Sequence, residues 1–205
     1  MKTFVFTLFI ITCFLSGSAQ NERYNYPDAF YFVKEVKLTT EGGGNFKFSL
    51  SVKEDPSDNL SKVRIYAVQV RADKEDIIGN TMVYANASGT AEKTYTVEGS
   101  IHPEAKRIWL YVAVNGNGNF YFDNIEYFTG NASGWQPIPL DNNSFENTGK
   151  NLFKGYYVSK KSAPQLQVNN SSSFATHGKS SLHVFTAGMK AVAALAKAEA
   201  ITADY

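Results

Sequence analysis

Hydrophobic residues recur at every second position along much of this chain, which is the period of a half-buried strand. Phe30, Phe32, Val36 and Leu38 share one parity. Phe46, Phe48, Leu50 and Val52 alternate with Lys47, Ser49 and Ser51, the clearest strand pattern present. A glycine-rich turn at 42–45 separates these two, and the polar stretch 54–61, which holds Pro56, closes the second. Residues 63–70 read as a strand whose apolar parity shifts near Ala67, as either a bulge or burial on both faces would produce. Shorter candidates lie at 82–84 and 93–97. Ile108, Leu110, Val112 and Val114 alternate strongly up to the turn Asn115-Gly116-Asn117-Gly118, and 120–128 completes the set. Short strands divided by Gly, Asn and Asp turns, with no helix among them, predict an all-β fold, an antiparallel β-sandwich.

The pattern changes at 129–139, rich in Gly, Ser, Asn and Pro, which reads as a linker or crossing loop. Weaker strands follow at 155–158, 165–168 and 181–185, around the polar run 169–173. Residues 189–203 are rich in Ala, Lys and Glu without Gly or Pro, which predicts a short C-terminal helix, though with no strong apolar stripe. The expected division is therefore a leader at 1–19, a sandwich at 28–129, a connection at 130–142, further strands at 143–186 and a helical tail at 187–205.

The leader sets the compartment. Met1-Lys2 is followed by an apolar run at 4–15 and by the small residues Ser16-Gly17-Ser18-Ala19, the form of a secretory signal cleaved after Ala19. That run is shorter than the about 20 apolar residues that span a bilayer, and no second apolar stretch is long enough either. Cys13 lies where a lipoprotein cysteine could, but Thr12 is bulky for the preceding position and Phe14-Leu15 prolong the apolar run. Export to the periplasm or the exterior is the expectation. Cleavage removes the only cysteine, so the mature chain relies on its core rather than on disulfides. It also removes Lys2 from the 20 Lys+Arg and none of the 19 Asp+Glu, leaving 19 against 19. These charges are dispersed, which argues against a nucleic-acid partner held through phosphates.

The chemistry-bearing residues point to binding rather than turnover. His102, His177 and His183 have no metal spacing, and there is no Gly-x-Ser-x-Gly elbow. Asp123, Glu126, Asp141 and Glu146 could serve a glycosidase, but nothing sets two of them across a cleft. No catalytic residue is assigned. Six Asn-x-Ser matches, at Asn59, Asn86, Asn131, Asn142, Asn169 and Asn170, are what an Asn- and Ser-rich composition produces. Trp109 and Tyr111 have the parity opposite to Ile108, Leu110, Val112 and Val114, so they face away from the core. Rings on a wet sheet face can stack on sugars; covered by a loop or another sheet, they would be packing. Trp135, in the connection, and the pair Tyr156-Tyr157 are further ligand-binding candidates, although Tyr156 reads as core.

Two stretches carry a resemblance. Gly118-Asn119-Phe120-Tyr121-Phe122-Asp123-Asn124-Ile125-Glu126 resembles the last strand of carbohydrate-binding modules with the galactose-binding-like jelly-roll fold. Asn143-Ser144-Phe145-Glu146, Gly155-Tyr156 and Ala175-Thr176-His177-Gly178-Lys179-Ser180-Ser181-Leu182 resemble the opening of such a domain, with Tyr156 where the family usually has Trp. The resemblance implies a non-catalytic secreted module with a glycan or cell-surface polysaccharide as partner. It also implies a structural calcium ion held by Asp123 and Glu146. Here the opening motif follows the closing strand. Either a second, partial jelly roll begins at 143, or residues 143–186 supply permuted opening strands to the first. Two other roles fit the same features. One is an accessory N-terminal region of a larger secreted hydrolase, such as a tail-specific-type serine peptidase, whose catalytic part lies downstream. The other is a structural adhesion or scaffold domain.

Overall fold

A computed structural model describes residues 24–25, 27–38, 44–71, 76–78, 83–87, 90–131, 134–159 and 163–193. The expected leader at 1–19 with Cys13, residues 42 and 43 of the glycine-rich turn, and the tail beyond 193 lie outside the described residues. In chain order the strands are β1 (Tyr24–Asn25), β2 (Asp28–Lys37), β3 (Asn45–Pro56), β4 (Lys62–Val70), β5 (Val83–Ala87), β6 (Lys93–Ser100) and β7 (Arg107–Asn115). They continue as β8 (Gly118–Asn131), β9 (Gly134–Ile138), β10 (Tyr156–Val158), β11 (Gln165–Ser171), β12 (Ser181–Ala187) and β13 (Val192–Ala193). The fold is an all-β antiparallel sandwich. One sheet has the order β10-β2-β7-β4-β5, the other β11-β12-β8-β3-β6, with β9 also paired to β8.

Alternation decides which side chains meet between the sheets. Phe32 and Val36 of β2, Ile65 of β4, and Ile108, Leu110 and Val112 of β7 pack against Phe46, Phe48 and Leu50 of β3 and Phe120, Phe122 and Ile125 of β8. Each fully buried Phe, Leu or Ile contributes roughly 1.5–3 kcal/mol. The parity shift in β4 is burial on both faces. Its register with β7 runs unbroken from Lys62 to Val70, while Ala67, Val68, Gln69 and Val70 are all buried. Gln69 is satisfied there, donating to the Ser100 carbonyl at 2.7 Å and accepting from the His102 amide at 2.7 Å.

Residues 143–186 add strands to both sheets. β10 pairs with β2, and β12 pairs with the first half of β8. Lys34 joins them from β2: its ammonium donates to the carbonyls of Asp141 (2.6 Å) and Gly155 (3.3 Å) and lies 4.2 Å from the centroid of the Tyr156 ring. Tyr156 takes a packing position, as its sequence context suggested, stacked on Phe145 at 5.2 Å.

Two expectations are corrected. The stretch 130–142 is not simply a connection, because β9 forms a hairpin with the second half of β8. The tail 187–205 does not begin as a helix. Val192–Ala193 pairs with Tyr24–Asn25, since an extended partner lies alongside that satisfies the backbone a lone short helix would expose.

One glycine fixes the β7–β8 turn. Gly118 has φ +140°, and an added Cβ would lie 2.6 Å from the Asp55 carbonyl oxygen and 2.7 Å from Pro56 Cα. Both obstacles are backbone, so neither can swing aside. Gly118→Ala is expected to cost about 2 kcal/mol, read as a lowered urea midpoint with an unchanged slope.

Candidate functional site

The outer face of the β10-β2-β7-β4-β5 sheet, turned away from its partner sheet, gathers aromatic side chains by register. Tyr157 of β10 lies opposite Val33 of β2, Val33 opposite Tyr111 of β7, Tyr111 opposite Tyr66 of β4, and Tyr66 takes the register position opposite Tyr84 of β5. Neighbouring strands are about 4.8 Å apart, so this row runs about 19 Å across five strands. Residues directly opposite in an antiparallel pair share a face, which places Tyr157, Val33, Tyr111 and Tyr66 on one surface. Trp109 and Tyr31 flank Tyr111 one row to either side.

The rings differ in what they offer. Tyr66 and Tyr111 are stacked on each other, centroids 4.9 Å apart and planes 3° from parallel. Each ring therefore has one face covered by the other. Tyr31 tilts against Tyr111 at 6.1 Å and is 37% exposed; Tyr157 is 62% exposed. Trp109 is half-buried, held by its indole N–H, which donates to Glu35 Oε2 at 2.8 Å, and by the Arg107 guanidinium 5.6 Å from its ring centroid. Arg107 Nη1 also donates to Glu35 Oε2 at 3.3 Å, so one carboxylate orients both.

Polar groups close one end of the face. Asp28 accepts from Arg64 and, at 2.8 Å, from Asn115 Nδ2, while Arg64 Nε is buried without a partner. Burial first, then the charge of Asp28 and the phenols of Tyr111 and Tyr31, raise the Tyr66 phenol above its ordinary value against the opposing pull of Arg64. Tyr66 therefore keeps its proton and can both donate and accept. The surface thus combines exposed rings, phenol hydroxyls and a fixed Asp–Arg–Asn group.

The other sequence candidates lie elsewhere. Trp135, on β9, belongs to the opposite sheet. It covers Gly130, with the Lys47 ammonium 4.7 Å from its ring centroid. Strand pairing separates it from Trp109 and Tyr111, which proximity in sequence did not reveal. Asp123 and Glu146 do come together, around the loop 175–180. Asp123 is fully buried; its Oδ1 accepts from the Asn124 amide (2.7 Å), and its Oδ2 from the Thr176 amide (2.6 Å), the Thr176 hydroxyl (3.0 Å) and the His177 amide (2.8 Å). Glu146 Oε1 accepts from the amides of Lys179 and Ser180, both at 2.9 Å. Calcium demands six to eight oxygens facing it. Here the carboxylates are met by N–H and O–H donors, whose polarity would repel a cation, so these residues do not fit a calcium site. Among the described residues no group of three or more His, Cys, Asp or Glu is placed to hold a metal ion.

Residues that sequence reasoning did not single out are Tyr31, Tyr66, Asp28 and Arg64. Tyr31 and Tyr66 have the outward parity of their strands, but only register shows that they adjoin Trp109 and Tyr111. No protein-family model matches this chain, and no curated protein matches it significantly in sequence. No helix among the described residues is long and apolar enough to cross a membrane.

Proposed function

We propose that this is a secreted, non-catalytic binding module that holds a glycan on the outer face of the β10-β2-β7-β4-β5 sheet. The observation that carries this reading is the transverse row of tyrosines beside Trp109. Sugars offer apolar C–H faces and hydroxyl edges, and this surface offers partners for both. Tyr31 and Tyr157 supply exposed ring faces, Tyr66 and Tyr111 supply hydroxyls, and Asp28, Arg64 and Asn115 supply fixed donors and acceptors. The row crosses the strands, so the ligand lies across the sheet and is a short oligosaccharide rather than a single sugar. The export signal at 1–19 supports an extracellular or periplasmic polysaccharide as the source. The resemblance of 118–126 and 143–182 to galactose-binding-like modules supports the same class. Affinity is expected to be modest, because an open face buries few ligand atoms.

Binding of the mature chain from Gln20 to a glycan array tests the proposal. Tyr157→Ala and Tyr31→Ala are expected to weaken binding about tenfold each, the loss of one ring contact of about 1.4 kcal/mol, with the melting temperature unchanged. Trp109→Ala is expected to remove binding. A folded wild-type chain that retains no glycan, or variants that bind as wild type does, would overturn the reading.

A further inference from the structure

The edges of the two sheets are not equally protected. An edge strand presents unpaired backbone N–H and C=O groups, and proteins blunt such edges with short strands, charges, prolines, bulges or a covering element. β10 is only three residues long. β5 and β6 lie alongside each other, with Gly99 of β6 against the Val83 side chain of β5, and β6 also carries Lys93 and Glu98. β11 has none of these devices. It runs for seven residues, Gln165–Ser171, in unbroken register with β12, and it holds no charged residue and no proline. It ends its sheet, and among the described residues no strand pairs with its outer side.

The chemistry of this edge fits another strand, and a second copy of itself in particular. Gln165, Gln167 and Asn169 are exposed, while Leu166 and Val168 pack toward the core. Val168 is the midpoint of the strand. An antiparallel pairing centred on it sets Gln167 opposite Asn169 of the second copy, Gln165 opposite Ser171, and Leu166 opposite Asn170. Every one of these pairs is neutral, so the two edges meet without like charges. The mature balance of 19 Lys+Arg against 19 Asp+Glu adds no net repulsion between copies. Two paired strands of this length, about 23 Å, make a small interface, so the association is reversible.

We infer that β11 pairs antiparallel with β11 of a second copy, joining the two β11-β12-β8-β3-β6 sheets into one continuous sheet. The pairing uses up both open edges and therefore closes at two copies. The dyad of an antiparallel strand pair is perpendicular to the sheet, so the tyrosine faces of both copies turn to the same side of the dimer. One polysaccharide can then reach both, which strengthens its retention without any new contact. The pairing itself does not rest on the glycan reading; only this use of it does.

Sedimentation of the mature chain from Gln20 over a range of concentrations tests the inference. Wild type is expected to pass from monomer to dimer and no further. Gln167→Lys with Asn169→Lys sets ammonium groups opposite each other across the dyad, and Gln167→Glu with Asn169→Glu does the same with carboxylates. Each double variant is expected to dimerise about tenfold more weakly than wild type, or worse. Mixed in equal amounts, the two are expected to form a heterodimer, which misfolded chains would not do. Both lose the contact of Asn169 with His183 alike, so recovery on mixing reads the edge alone. The inference is overturned if wild type stays monomeric, if it grows beyond a dimer, if either variant dimerises as wild type does, or if mixing restores nothing.

Discussion

Asp123→Ala is expected to destabilise the protein by about 3–5 kcal/mol, the largest effect anticipated for a single side chain outside the apolar core. Hydrogen bonds to a charged acceptor are each worth about 1.5–3 kcal/mol, and this buried carboxylate accepts four of them. Some of the loss is recovered, because Thr176 and His177 are exposed and their amides can turn to water. Asp123→Asn, which keeps the shape but loses the charge, should fall between wild type and alanine. The loop it holds also seats Phe174, 6% exposed, against Tyr121 with ring centroids 6.1 Å apart, so local opening should expose an aromatic pair. Urea unfolding measures the change, and repeating it with calcium and with a chelator separates two origins of the stability. With N–H donors filling the carboxylate, wild type and variant should each unfold at the same midpoint in both conditions. A wild-type midpoint that drops on chelation, while the variant's does not, would restore the metal reading.

Glu54→Gln is expected to stabilise the protein at pH 8 by about 3 kcal/mol and to leave it nearly unchanged at pH 4. Glu54 continues the inward parity of Phe46, Phe48, Leu50 and Val52, is 2% exposed, and accepts one hydrogen bond, from the Val63 amide at 3.2 Å. Burial raises its carboxyl from 4.5 to about 7, and the Val63 amide opposes the shift only in part. Because the folded value lies above the unfolded one, the group's contribution is fully present below about 4.5 and is lost as pH rises through about 7. A shift of that size, at 1.36 kcal/mol per unit, corresponds to about 3 kcal/mol. His183 works in the opposite sense, since burial lowers its value and its contribution is lost as pH falls. The difference between wild type and Glu54→Gln therefore isolates Glu54. Parallel stability curves for the two proteins between pH 4 and pH 8 would rule the account out.

The strands with clean alternation were legible in the sequence because one of their faces is buried and the other wet. The patterns at 46–52 and 108–114 fall within β3 and β7, with the apolar parity inward. β4 was ambiguous because Val68 and Val70 are buried on the outward side by neighbours that are distant in sequence. The hairpin of β9 was hidden because a strand of Gly134-Trp135-Gln136-Pro137-Ile138 has no alternating burial; all five residues are exposed. Likewise, the alternation of Val192 and Ala193 was too short to compete with a helical composition, and their strand pairing depends on Tyr24–Asn25.

The candidate sites divide along the same line. The outward direction of Trp109 and Tyr111 followed from parity alone. Tyr66 joined them only through the register of β4 on β7, and Tyr157 only through the pairing of β10 on β2. Asp123 and Glu146 were noticed as a pair from their motifs, but apart from the adjacent Asn124 amide their partners lie 33 to 54 positions away along the chain, and those partners turn a calcium expectation into a loop clamp. Tyr127 carries the parity of a core residue, and only the folded chain shows that its buried hydroxyl has no partner.

By itself, then, the sequence determined the all-β class, the inward face of most strands and the outward face of Trp109 and Tyr111. These depend on composition and on a two-residue period, which are local properties of the chain. The tertiary structure decided which outward residues share a surface, which carboxylates meet donors rather than a cation, and which buried hydroxyl is left unpaired. Those outcomes depend on strand register and on contacts between distant segments, and a one-residue change of register would redraw every one of them.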